Sequence, residues 1–184
     1  ADDFYYTDSH WRQERILKVA DEIADKMGAE RIGQCEKHDA GVAFYGVYYG
    51  QAALPHAPES LFYLDNAVIR GLKVYNVETS SDIPVYDLGA AAGRDPYEMF
   101  LGGARSIIRI TNPNAAKERR LIVFRDSFGS SIAPLLTAGY SEITLVDIRY
   151  ISPSALGKLI DFTKADDALF LYSASVINNS ETIK

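Results

Sequence analysis

Asp8-Ser9-His10-Trp11 sets a carboxylate two residues before an imidazole, and Arg125-Asp126-Ser127-Phe128-Gly129 offers a hydroxyl far along the chain. A serine hydroxyl is a poor nucleophile at neutral pH until a base takes its proton. His10 is the side chain suited to that task, and Asp8 can hold its ring in one tautomer. Together these residue types describe acyl transfer through a serine ester. Each also has a plainer reading. Ser127 or Asp126 serves equally well as a helix N-cap. Asp8 can cap the helix that follows it, leaving His10 on the helix surface. RDSFG also lacks the Gly-x-Ser-x-Gly signature of a nucleophile elbow.

The chemistry requires elements that bring position 10 to position 127. Residues 11–27 carry Ile16, Ala20, Ile23, Ala24 and Met27 at helical spacing and stop at Gly28, which predicts an amphipathic helix. Residues 42–75 are aromatic and glycine-punctuated and read as strands or hairpins around a loop at Leu54-Pro55-His56-Ala57-Pro58. A short helical stretch is expected near Tyr97 to Leu101, and a short strand at Ile107–Ile110 closed by the turn Asn112-Pro113-Asn114. Beyond it, apolar strands at 121–126, 142–147 and 168–172 alternate with helices at 129–139 and after Ser152-Pro153, where proline suits the first helical position. This predicts parallel β-α-β-α-β. RDSFG then falls at the carboxyl end of a buried strand, where parallel sheets bind ligands. The expected fold is α/β, a parallel sheet flanked by helices, within a single domain over 1–184 carrying a β-rich insertion at about 42–78.

The 184 residues suffice to bury a core without a metal or disulfide staple. The 25 acidic and 19 basic residues leave a net charge of −6 with no basic face, which excludes recognition of nucleic acid through its phosphates. No stretch approaches the roughly 20 apolar residues of a membrane span, and the first residues are not those of a signal peptide. The abrupt opening on Phe4-Tyr5-Tyr6-Thr7-Asp8 suggests a piece excised from a longer protein. Cys35, the lone cysteine, reads as an apolar filler. His38 and His56 read as solvated residues, and three scattered histidines make no metal site. Gly89–Gly93 (GAAAG) lacks the spacing of a phosphate loop. Phe44, Tyr45, Tyr48, Tyr49, Phe62 and Tyr63 form either the inner face of a β-element or a platform for stacking sugars.

Four motifs in order, TDSHW at 7–11, FLGG at 100–103, RDSFG at 125–129 and VDIRY at 146–150, resemble the DHHW proteins. That family is placed with the SGNH/GDSL-like hydrolases and is related to bacterial alginate O-acetylation proteins. The resemblance implies an SGNH-like fold and a catalytic triad of Ser127, His10 and Asp8, in reverse chain order from ordinary GDSL enzymes. It implies a serine esterase or O-acyltransferase acting on acetylated carbohydrate of the cell envelope, or on a small acyl ester. Neither metal nor organic cofactor is expected, and the location is extracytoplasmic or at the cell surface. Two positions depart from the pattern. Ser9 replaces the first histidine of the name-giving motif, and Ala104 stands where relatives often carry asparagine. Oxyanion stabilisation would then rest on the backbone N–H groups of Ser127 and Gly103. The rival reading is a catalytically weak carbohydrate-binding or assembly module on the same fold; a flavodoxin-like nucleotide binder is a weaker third.

Overall fold

The structure, a computed structural model, describes residues 2–52, 56–179 and 181; Leu54 and Pro55 of the expected loop lie outside them. A 3-10 turn at Gln13–Arg15 leads into helix α1, Leu17–Met27. The expected helix over 11–27 is therefore broken at Ile16. Ala20 and Ala24 face the core, and Gly28 ends α1 in the left-handed conformation (φ 61°) that glycine adopts without strain.

The aromatic stretch divides into unlike parts. Strands β1 (Glu36–Phe44) and β2 (Glu59–Asp65) form a separate two-stranded antiparallel sheet. Between them Val47–Ala52 is a helix, α2, rather than a strand. Its backbone N–H groups find acceptors on the N-terminal segment: Val47 donates to Asp8 Oδ2 (3.0 Å) and Tyr48 to the Thr7 carbonyl (2.9 Å). Those acceptors favour a helical turn over the strand that β-rich composition suggests. After the one-turn helix α3 (Ala67–Arg70), β3 (Lys73–Asn76) enters the main sheet beside β4 (Ser81–Ile83). The β-rich stretch expected at 42–78 thus begins earlier, at Glu36, and ends inside the main sheet. Helix α4 (Leu88–Ala91), capped by Asp87, occupies the GAAAG segment. A 3-10 turn at Pro96–Met99 takes the place of the expected helix near Tyr97.

The main sheet comprises β4, β3, β5 (Ile107–Thr111), β7 (Glu142–Val146), β6 (Arg120–Arg125) and β8 (Asp167–Leu171), in that order. Strand β6 pairs in parallel with both β7 and β8, as the β-α-β-α-β pattern predicts. The sheet as a whole is mixed, because β5 runs antiparallel to β7 and β3, and β3 antiparallel to β4. A short apolar run such as Ile107–Ile110 records burial but not direction, which the connections impose. The wholly parallel sheet is thereby corrected to a mixed α/β sheet.

Burial on both faces explains the continuous apolar run in β6. Leu121 and Val123 pack with Ile16, Ala20, Ile132 and Leu135, whereas Ile122 packs with Leu156 and Ile160 on the opposite face. The first layer belongs to α1 and to α5 (Phe128–Ile132) with its 3-10 continuation Ala133–Gly139; the second belongs to α6 (Pro153–Leu159) and the residue after it. A short helix α7 (Ala174–Asn178) follows β8. A third cluster, including Tyr5, Phe44, Leu61, Tyr97 and Phe100, binds the N-terminal segment to the hairpin and to the 96–101 turn. Among the described residues, no helix is long and apolar enough to cross a membrane.

Candidate active site

Ser127 follows the end of β6, in the turn that opens α5. The turn is held from both sides by Asp126, which is buried: its Oδ1 accepts from Phe128 N–H (3.0 Å) and its Oδ2 from Ser173 N–H after β8 (2.7 Å). The cap at this helix start is therefore Asp126, and the Ser127 hydroxyl makes no capping bond. Beneath the turn, Arg125 is fully buried and reaches the Ser130 hydroxyl with Nη1 (3.1 Å), while its Nε has no partner among the described residues. Burial outweighs the nearby Asp147 and Asp126 carboxylates and lowers the affinity of this guanidinium for its proton. Only glycine fits at 129, since a Cβ there would lie 2.6 Å from Arg125 Cβ.

The N-terminal segment crosses this strand end. Glu59 of β2 clamps it, with Oε2 accepting from Thr7 N–H (2.9 Å) and from the Thr7 hydroxyl (2.7 Å). Gly46 packs so closely that a Cβ would come 2.2 Å from the Thr7 carbonyl and 2.3 Å from Asp8 Cβ. Asp8 is thereby buried, with Oδ1 receiving the His10 N–H (2.8 Å) and the His10 ring at Nδ1 (2.5 Å). Burial alone would raise its pKa. The hydrogen bond and charge of His10, with the backbone N–H groups of Val47 and His10, reverse that and hold the carboxyl below its ordinary range. Asp8 spends its oxygens on His10 and α2, so it does not cap the helix that follows.

His10 Nε2 lies 2.7 Å from Ser127 Oγ. The three side chains picked out in the sequence thus form one chain of hydrogen bonds, carboxylate to imidazole to hydroxyl. The imidazole is fixed on both sides: Tyr97 stacks on it at 4.1 Å between centroids and 18° between planes, and Phe128 leans against it at 5.3 Å. Tyr97 is buried, and its hydroxyl donates to the Trp11 carbonyl (3.3 Å). Nothing in the sequence points to Tyr97 or to the Val47 N–H, since one arrives by tertiary packing and the other is backbone. Such an arrangement can pass a proton from hydroxyl to imidazole while the carboxylate balances the charge.

The expected oxyanion donors separate. Ser127 N–H has no acceptor among the described residues. Gly103 N–H, by contrast, is already donated to the Phe100 carbonyl (3.1 Å). Leu101, Gly102 and Gly103 all have positive φ (54°, 70° and 74°), which folds FLGG into a tight turn and closes this bond. Gly103 is corrected from a free donor to a turn-closing residue, with Ala104 exposed beside it.

Other residues stay apart from this centre. His38 stacks on Tyr63 and His56 is exposed. Cys35 is half-buried against the main core. Phe44 alone of the aromatic cluster is fully buried; Tyr45, Tyr48 and Tyr49 are exposed. Tyr45 and Tyr49 border a cleft of about 730 Å³ on the Asp8 side, together with Gln51, Arg94 and Glu98. An apolar cavity of about 320 Å³ borders Trp11 and Phe128. A third, of about 300 Å³, lies beside Arg120 and Glu142, where β6 and β7 begin, at the opposite strand ends from Ser127. Among the described residues, no group of three or more His, Cys, Asp or Glu is placed to hold a metal ion.

Comparison with solved structures finds the same fold elsewhere. A DHHW family protein from Eubacterium siraeum DSM 15702 superposes with a TM-score of 0.74 at 19% identity, over 100% of this chain and 63% of that one. PatB1 of Bacillus cereus superposes at 0.73 and 22% identity, over 96% of this chain and 64% of its own. PatB1 with a sulfonyl adduct gives 0.74 at 21%, over 96% and 62%. The chain therefore spans less than two thirds of the length of these proteins. No curated protein matches it. The DHHW protein family model matches residues 2–146, a span that holds Asp8, His10 and Ser127 together, and the chain belongs to the DHHW family.

Proposed function

We propose that the chain is a serine-dependent acyl-transfer domain of the SGNH-like type, an esterase or O-acyltransferase acting on O-acetylated carbohydrate of the cell envelope. The observation that carries this reading is the continuous contact from Asp8 Oδ1 to His10 Nδ1 (2.5 Å) and from His10 Nε2 to Ser127 Oγ (2.7 Å). Ser127 Oγ attacks the ester carbonyl carbon as His10 Nε2 takes its proton. Asp8 holds the resulting imidazolium and remains ionised. The carbonyl oxygen becomes an oxyanion, which the Ser127 N–H receives. His10 returns the proton to the departing alkoxide, leaving an acyl ester on Ser127. Water or a sugar hydroxyl then attacks that ester, again deprotonated by His10, and restores the serine. Water gives hydrolysis; a sugar gives transfer. The same reading puts the domain outside the cytoplasm or at the cell surface.

One observation favours a second reading, a weakly active carbohydrate-binding or assembly module. With Gly103 N–H engaged and Ala104 lacking a donor side chain, one oxyanion donor is absent, and each such loss costs about 10²–10³ in rate.

The adduct on PatB1 suggests a probe. A sulfonyl fluoride loses fluoride when an activated hydroxyl attacks its sulfur, and peptide mass spectrometry locates the product. Modification of Ser127 in the wild type, absent in His10→Ala, supports the enzyme. Glycan binding without modification or ester turnover supports the module.

A further inference from the structure

The apolar cavity of about 320 Å³ is walled by Phe4, Trp11, Phe128, Leu171 and Ala174, with Tyr172 and Ser173 contributing hydroxyl-bearing side chains. Two of these adjoin the reactive groups in sequence: Phe128 follows Ser127, and Trp11 follows His10. Their rings meet edge to face at 5.2 Å, and Phe128 also leans on the His10 ring, so the Ser127–His10 pair and the cavity share a wall. The volume lies within the range of about 300–1,000 Å³ typical of ligand pockets. An acetyl methyl group would leave most of it empty.

The lining decides which half of an ester belongs there. No charged side chain borders the cavity among the described residues. A sugar placed in it would surrender many hydroxyl hydrogen bonds to water with only Tyr172 and Ser173 at hand to replace them, which is unfavourable. The polar partners a sugar requires are instead in the cleft on the Asp8 side, where Gln51, Arg94, Asp95 and Glu98 accompany Tyr45 and Tyr49. The two chambers differ in chemistry as the two halves of an O-acyl carbohydrate do.

We infer that the cavity beside Trp11 and Phe128 receives the acyl chain of the ester and admits chains well beyond acetyl, one water-sized unit filling about 30 Å³ of its about 320 Å³. This rests on the reading of Ser127 as the nucleophile, and the experiment separates the two. With p-nitrophenyl esters from acetate to octanoate, kcat/KM rises about three- to fourfold for each methylene buried, until the cavity is full. Ala174→Phe, which fills the cavity, brings the hexanoyl-to-acetyl ratio towards one, and Leu171→Ala, which enlarges it, shifts the optimum to longer chains. A flat or falling series in a protein that turns over acetyl overturns the inference.

A second measurement needs no turnover. Trp11 is the only tryptophan, and it lines the cavity. Hexanamide should shift its fluorescence saturably where acetamide does not, and Ala174→Phe should abolish the shift. If no ester is cleaved, the nucleophile reading falls while a saturable hexanamide response keeps the cavity as a site for apolar chains. Equal responses to the two amides, or none, overturn it.

Discussion

Ser127 Oγ lies 2.7 Å from His10 Nε2 although 117 residues separate them in the chain. One comes from the end of a buried strand and the other from an irregular segment pinned by Glu59. Groups acting as a unit lose their function together. Ser127→Ala and His10→Ala should each lower kcat on an acetyl ester at least about 10⁴-fold, and the double variant should lose little more. Steady-state rates of the three variants test this; additive losses would show independent roles.

Asp8→Asn should keep the fold but lower kcat by about 10⁴-fold, because a neutral amide neither fixes the Nδ1–H tautomer nor stabilises the imidazolium. The depressed Asp8 pKa also carries a stability signature. A carboxyl whose folded pKa lies below its unfolded value of about 3.9 stabilises the fold above that pH, and the contribution is lost as pH falls through the folded value. The Tm gap between wild type and Asp8→Asn should therefore be widest near neutrality and close below about pH 4. Thermal melts across pH 3–7 check the sign.

Tyr97→Leu removes the ring stacked on His10, whereas Tyr97→Phe keeps the ring and loses the hydroxyl with its bonds to the Trp11 carbonyl and Ser131. The leucine variant should lower kcat about tenfold or more with little change in KM, and phenylalanine should restore most of it. If both variants match wild-type kcat, Tyr97 does not position the imidazole.

Gly46→Ala is expected to act on catalysis through backbone displacement. A methyl group 2.2 Å from the Thr7 carbonyl forces the Thr7–Asp8 segment away from α2. Overpacking of this kind costs about 1–3 kcal/mol, and a shift of about 1 Å at Asp8 costs about 10²-fold in rate. Urea unfolding and kcat measured on one preparation read both effects.

Strands β6 and β7 were legible because burial on both faces leaves uninterrupted apolar runs such as Leu121–Phe124, and β8 because residues 168–171 are all apolar, although Ala168 and Phe170 are exposed. The direction of β5 was not, since Ile107–Ile110 looks the same whichever way it pairs. Gly46–Gly50 has the composition of a strand and folds as a helical turn because Thr7 and Asp8 supply acceptors, a tertiary influence that overrides local propensity. In the site, residue type and motif singled out Asp8, His10 and Ser127. They also suggested Gly103 as a donor, which the left-handed turn at 101–103 withdraws. Identity marks a side chain's chemistry; the availability of a backbone N–H depends on dihedral angles that only the fold sets.

The clamp of Glu59 on Thr7 has a consequence for when Ser127 becomes reactive. The main sheet supplies Ser127, whereas its base is in place only when the His10 segment docks against β2 and α2. Until then the hydroxyl is chemically dormant. A molecule in which that segment has come away therefore exposes no activated serine to stray esters, and activity reports the docking of the segment. Turnover regained in refolding should therefore track the docking of a single short strap rather than sheet formation alone.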